Sequence, residues 1–274
     1  MGGPNATGLC RHGCFVCDVF DVNAELGINA SENDIRPGGN PKASATRYRH
    51  YKDLLASDDI DAVIIATPDH WHSRISIDAA KAGKHVYCEK GMTITFDEAI
   101  DVYDAVKKTG ITFQLGHQNR QVEANEKARE IVQQGLLGPI NLVEITTNRN
   151  SPWGAWVWGI HPKGNEQTID WETFQEPSPN KIPFGEEALK RFFRWRCWYD
   201  YGTGLSGDLF SHDFDAINQI MDIGIPKYAS STGGVYFYKD GRDVPDVWNA
   251  TFEYPNKDLT LLYSASLSSN NPRG

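Results

Sequence analysis

Between Asp61 and Leu115 three short apolar runs, DAVIIAT, HVYCE and ITFQL, alternate with two stretches of helical character, and this alternation leaves few folds open. DAVIIAT (61–67) is apolar at successive positions, as a strand covered on both faces of a parallel sheet should be, and Pro68 stops it. A helix is expected over Ser73–Ala82 with Gly83 as its stop, then the strand His85–Glu89. Thr95 with Glu98 three residues later forms a capping-box pattern, opening a helix that runs to Gly110 before the strand Ile111–Leu115. Strands and helices in this order give right-handed crossovers and a doubly wound parallel sheet. Upstream, Cys14–Phe20 reads as another buried strand with Asp18 and Asp21 at its end. Residues 29–47 read as loop, and a short helix passes through Tyr51, Leu54 and Leu55.

Beyond Gln118 the pattern changes. One more helix, roughly Val122–Gln134, precedes extended alternating segments at Asn141–Thr147, Lys227–Tyr238, Val247–Tyr254 and Leu259–Leu267, which suggest a mainly antiparallel sheet. The stretch 148–206 is rich in Trp, Pro and Gly and reads as ordered, function-bearing loop. The fold class expected is therefore α/β: a Rossmann-like domain over residues 1–118, followed by an α+β substrate-binding domain over 119–274. A length of 274 residues suits two such cores.

A net charge of −9 supplies no basic field for a nucleic-acid backbone or an anionic membrane, so neither partner is expected. Five cysteines argue against a disulfide framework. Cys10, Cys14 and Cys17 lack a fourth ligand at zinc-type spacing, and His70 with His72 lacks further ligands nearby, so no metal site is expected.

A dinucleotide-binding unit needs a strand, a glycine-rich turn, a helix facing the pyrophosphate, and an acid about twenty residues on for the ribose. Here Gly2 or Gly3 would be the last glycine, Pro4–Leu9 the start of the helix, and Asp18 the ribose acid, with the first strand missing. An acid at position 18 favours NAD over NADP.

ATPDHWH (66–72), AGKHVYCEKGMT (82–93) and GHQNR (116–120) together resemble the glucose-fructose oxidoreductase and inositol dehydrogenase family, written Gfo/Idh/MocA. The resemblance implies that Thr67, Pro68 and His72, together with Glu89 and Lys90, lie beside the nicotinamide, with Gln118 also on the cofactor side. Lys90 would hydrogen-bond or deprotonate a polyol hydroxyl. One departure is Gly91, which stands where the family usually has proline. In the second domain, GTGLSGDLFSHDFDAINQIMDIG (202–224) places Phe210, Phe214, Ile217 and Met221 on one helix face and Asp208, His212, Asp215 and Gln219 on the other. The resemblance makes Asp208 and His212 the catalytic pair, with His212 as general base or acid. In RFFRWRCWYDYG (191–202), aromatics mixed with arginines suit a sugar, and Arg194 and Trp195 are the substrate-binding candidates.

These residues point to an oxidoreductase moving hydride between NAD and a secondary alcohol of a sugar, glycoside or cyclitol. Two further readings stay open: an NAD-dependent glycoside hydrolase, and a cofactor-free sugar-binding pseudoenzyme. The resemblance also implies a homo-oligomer. The expected compartment is the cytoplasm, or the periplasm if an export signal has been lost.

Overall fold

The apolar runs become the parallel strands of one six-stranded sheet in a computed structural model that describes residues 6–9, 14–31 and 44–271. From one edge the strands are Thr46–Tyr48 (β3), Cys14–Cys17 (β2), Ala6–Leu9 (β1), Ala62–Ile65 (β4), His85–Glu89 (β5) and Phe113–Gly116 (β6). The pairs β2–β3, β4–β5 and β5–β6 are parallel. Helices Asp21–Ser31 (α1), Tyr51–Leu55 (α2), His72–Lys81 (α3) and Phe96–Thr109 (α4) connect them. The core fills with Leu54, Ile60, Val63, Ile65, Val86 and Cys88, on which Trp71 and Ile75 pack.

The first strand position is a correction. Residues from Pro4 to Leu9 were expected to begin a helix, but Ala6–Leu9 is a strand, antiparallel to both β2 and β4. An opening between β2 and β4 would leave two rows of backbone N–H and C=O groups unpaired, and an extended segment of either direction satisfies both rows. Gly2 and Gly3 lie outside the described residues. Cys17 is buried, and burial pushes its thiol up to about 12, so it is a small hydrophobe there.

The α4 capping box forms as expected: Glu98 N donates to Thr95 Oγ1 at 3.2 Å, and Thr95 N to Glu98 Oε2 at 3.1 Å. Gly110, at φ +68°, ends the helix in the left-handed conformation that glycine adopts without strain.

The described residues divide into two compact units. The first holds the chain up to Gly116 together with Gly159–Trp195 and Asp200–Gly202. This differs from a single boundary near residue 118, and the cause is aromatic. Phe20 packs edge-on against Phe192 and Phe193, while His70 meets Phe174 and Tyr201. Backbone bonds from Asp21 N to Thr168 O (2.9 Å) and from Asp170 N to Val19 O (2.8 Å) tie the same stretch to the end of β2. It carries helices Trp171–Gln175 (α6) and Glu186–Phe193 (α7).

The second unit is His117–Trp158, Arg196–Tyr199 and the chain from Thr203 onward. It begins with helix Glu123–Gln133 (α5). Its sheet runs Leu142–Asn148 (β7), Leu259–Ser266 (β10), Val247–Tyr254 (β9), Tyr228–Gly234 (β8), antiparallel except for β7 with β10. Helix Ser211–Met221 (α8) lies against this sheet beside Phe210, which stacks on Phe252 at 4.9 Å and meets Tyr263 at 4.6 Å. Among the described residues no helix is long and apolar enough to cross a membrane.

Candidate functional site

In the first unit, the residues expected to meet a cofactor follow the C-terminal ends of parallel strands: Asp18 after β2, Thr67–Pro68 after β4, Glu89–Lys90 at β5. In an open α/β sheet that edge is where ligands bind. Asp18 is 5% exposed and its Oδ1 accepts from Phe20 N at 2.8 Å. Burial raises its carboxyl to about 8, against the opposing pull of the Phe20 N–H, Asn23 and Arg47.

Asp18 lines two neighbouring cavities. A narrow one of about 40 Å³ also touches Tyr51, Thr67, Pro68 and Trp71. A wider one of about 340 Å³ adds Arg47 and Arg49 and is walled by residues 166–172. Arg47 pairs with Asp21 at 2.5 Å and Arg49 reaches it at 3.5 Å. The Thr67 hydroxyl is buried without a hydrogen-bond partner in the protein, so a ligand hydroxyl fits its chemistry.

His72 takes a different place from the one expected. It is 1% exposed, with Nε2 2.7 Å from Thr67 O and Nδ1 2.7 Å from Gly91 O, so both nitrogens are engaged beneath the loops. Lys90 is half-buried, and the Lys90–Gly91 peptide is cis. Glu89 sits in register with Gly116 and, after burial, is a cause of the raised Tyr87 phenol.

In the second unit a π-helical turn, Ser206–Phe210, leads into α8, a widening that often accompanies functional sites. It carries Asp208, buried at 7% exposure, whose Oδ1 accepts from Arg196 Nε at 3.1 Å. His212, on the first turn of α8, stands edge-on to His117 with ring centroids 6.4 Å apart. It lines a cavity of about 390 Å³ with Gln118, Asn119, Thr147, Arg149 and Asp213.

The polar helix face is more occupied than its pattern suggested. Asp215 grips Arg120 through Nε at 2.8 and 3.0 Å and through Nη2 at 2.7 Å, and Gln219 donates to Arg120 O at 3.0 Å. These bonds fasten the GHQNR segment to α8, and so Gln118, expected on the cofactor side, shares a cavity with His212.

Arg194 and Trp195 belong to the first unit, and Trp195 is 7% exposed; Arg196 bonds Asp208. Sequence reasoning passed over Arg149, Asp213 and Thr147, whose hydroxyl donates to Asp213 Oδ2 at 2.7 Å. The alternation of β7 is the one signal that could have found Thr147. Chemically, the second unit offers an imidazole beside hydrogen-bonding groups of both signs, which suits proton transfer at a polyhydroxylated ligand.

Residues 26–117 match the Gfo/Idh/MocA oxidoreductase family, described as having an NAD-binding Rossmann fold. The uncharacterized oxidoreductase YrbE of Bacillus subtilis is 37% identical over 102 residues, which is 37% of this chain and 30% of that protein. Levoglucosan dehydrogenase of Pseudarthrobacter phenanthrenivorans is 28% identical over 204 residues, 71% of this chain and 46% of its own. A solved levoglucosan dehydrogenase, in complex with NADH and levoglucosan, superposes with a TM-score of 0.66 at 21% identity, covering 93% of this chain and 58% of that one, and shares the fold. The chain spans about half the length of curated relatives such as the levoglucosan dehydrogenase.

Proposed function

Residues 26–117 belong to the Gfo/Idh/MocA oxidoreductases, and from that premise we propose that this protein transfers a hydride between NAD and a secondary alcohol of a sugar, glycoside or cyclitol. The observation that carries the reading is the set of Asp18, Thr67–Pro68 and Glu89–Lys90 at the C-terminal ends of the like-directed strands β2, β4 and β5 of one sheet. The levoglucosan dehydrogenase relative supports a carbohydrate as the substrate class.

Asp18 would accept hydrogen bonds from the ribose hydroxyls, and the unpartnered Thr67 hydroxyl, beside Pro68 in the same cavity, would bond a polar group of the cofactor. Bound NAD supplies the hydride chemistry. In the first unit Lys90 is placed to hydrogen-bond a ligand hydroxyl or relay a proton. In the second unit His212 is the general base, and Arg196 holds Asp208 in place one turn before it. In the same unit Arg149, Thr147 and Asp213 offer hydrogen bonds to ligand hydroxyls in the cavity lined by His212.

The test is NADH formation with a panel comprising levoglucosan, myo-inositol, free hexoses and methyl glycosides. Turnover of at least one member, abolished in His212→Ala, is expected. Cleavage of a chromogenic glycoside without net NADH would move the chain to the hydrolase reading. Turnover unaffected by His212→Ala would remove His212 from the chemistry.

A further inference from the structure

His72 is the titratable group whose surroundings are most constrained and which the proposed chemistry leaves unused. Its two ring nitrogens each lie 2.7 Å from a backbone carbonyl oxygen, Thr67 O and Gly91 O, and the residue is 1% exposed. A carbonyl oxygen only accepts, so each nitrogen has to donate, and only the imidazolium carries N–H on both. In either neutral tautomer one lone pair would face a carbonyl lone pair at 2.7 Å, in a site where water cannot replace the lost bond.

The two carbonyls belong to different loops, one following β4 and the other following β5 next to Lys90. We propose that His72 is a protonated positioning residue which staples the Lys90–Gly91 loop to the Thr67–Pro68 loop and thereby sets where Lys90 stands. This also bears on Gly91: with no proline ring to fix that position, its carbonyl is held from outside by His72.

The groups facing the ring fit a cation. Burial opposes the charge, but Cys88 on β5, Asp69 on the turn before α3 and the Gly91 carbonyl outweigh it and hold His72 up at about 9. His70 beside it does not compete, because its Nε2 donates to Phe174 O at 2.7 Å and burial pushes it down to about 3, leaving it neutral. Glu89 and Lys90 are the charged groups on the β5 side of the staple. A histidine raised in the folded state stabilises fully below its ordinary value near 6.5, and that contribution is lost as pH rises through about 9. The staple therefore persists through neutral pH and opens on the alkaline side.

The charge state is read directly by long-range 1H–15N correlation on the full chain labelled with 15N-histidine, the His72 signal being assigned by its absence in His72→Gln. Both ring nitrogens protonated at pH 7, titrating near 9, is the expected result; a neutral tautomer at pH 7 overturns the proposal. This arm is independent of the proposed activity. The positioning role is read by amide hydrogen exchange over Gly91–Thr93. Exchange should accelerate in His72→Phe, recover partly in His72→Gln, whose amide offers two N–H groups, and accelerate in the wild type as pH passes 9 relative to reference amides elsewhere on the sheet. Unchanged exchange in His72→Phe overturns it. Where NADH formation is measurable, His72→Phe should lower kcat by about 100-fold with little change in KM for NAD, the cost of a displaced reactive group rather than of a lost cofactor contact.

Discussion

Asp18 joins two properties that pull against each other, a position at the end of β2 where a ribose acid belongs and a burial that favours the protonated carboxyl. Its value near 8, against about 3.9 in an unfolded chain, means that the folded protein holds a proton across that interval which the unfolded chain has lost. Folding is therefore opposed by Asp18 increasingly as pH rises from about 4 to 8. On the proposed function the same titration would govern cofactor choice, because only the ionised carboxylate repels a 2′-phosphate, and Arg47 and Arg49 line the adjacent cavity. The ratio of NADP to NAD dissociation constants should increase between pH 6.5 and 9 in the wild type and stay flat in Asp18→Asn, as read by calorimetric titration. The strand-end positions of Asp18, Thr67 and Lys90 were legible because strand ends can be read from apolar runs, while the role expected of Lys90 came from the family resemblance. The sequestering of His72 was not, since a histidine in a helix-start motif looks the same whether its ring faces a ligand or a carbonyl. Arg196, whose Nε bonds Asp208, stands two residues from the candidate Arg194 in an irregular segment, where no periodicity shows which way each side chain turns.

At the scale of elements, the α4 capping box was readable because Thr95 and Glu98 satisfy backbone donors that belong to the same few residues. Thr95→Ala should cost about 1 kcal/mol in urea unfolding. Strand β1 was not readable, because what makes Ala6–Leu9 extended is the pair of open strand edges on either side and not its own composition. The π-helical turn at Ser206–Phe210 likewise has no periodic signature, but it does have a steric one. A Cβ at Gly207 would come within 2.1 Å of Thr203 Oγ1 and 2.2 Å of its Cβ. Gly207→Ala should destabilise the second unit by about 1–3 kcal/mol, the range for an overpacked site, and displace Asp208 from Arg196. Melting temperature and the His212 chemical shift would report the two effects separately. A third element, the turn after β8, depends on Asp246, which is fully buried and accepts from the backbone N–H groups of Tyr236, Phe237 and Tyr238 at 2.6–2.9 Å. Asp246→Ala would strand three donors, so a loss of at least about 3 kcal/mol is expected by chemical denaturation.

For the whole molecule, the fold class was set by patterning while the division of the chain was set by aromatic contacts that patterning cannot show. Residues 159–195 look like a loop inserted in the second half, yet Phe20 packs on Phe192 and Phe193, backbone bonds join Asp21 to Thr168 and Asp170 to Val19, and residues 166–172 wall the cavity beside Asp18. The arrangement makes the first unit a sheet plus a strap, with the acid beneath the strap. The most direct test of the central claim is calorimetric titration of the full chain with NAD, followed by addition of the saturated protein to the carbohydrate panel with NADH as readout. The account predicts saturable NAD binding that weakens in Asp18→Ala, and NADH formation with at least one secondary alcohol of the panel. NAD binding that is absent, or equal in Asp18→Ala and the wild type, would contradict it.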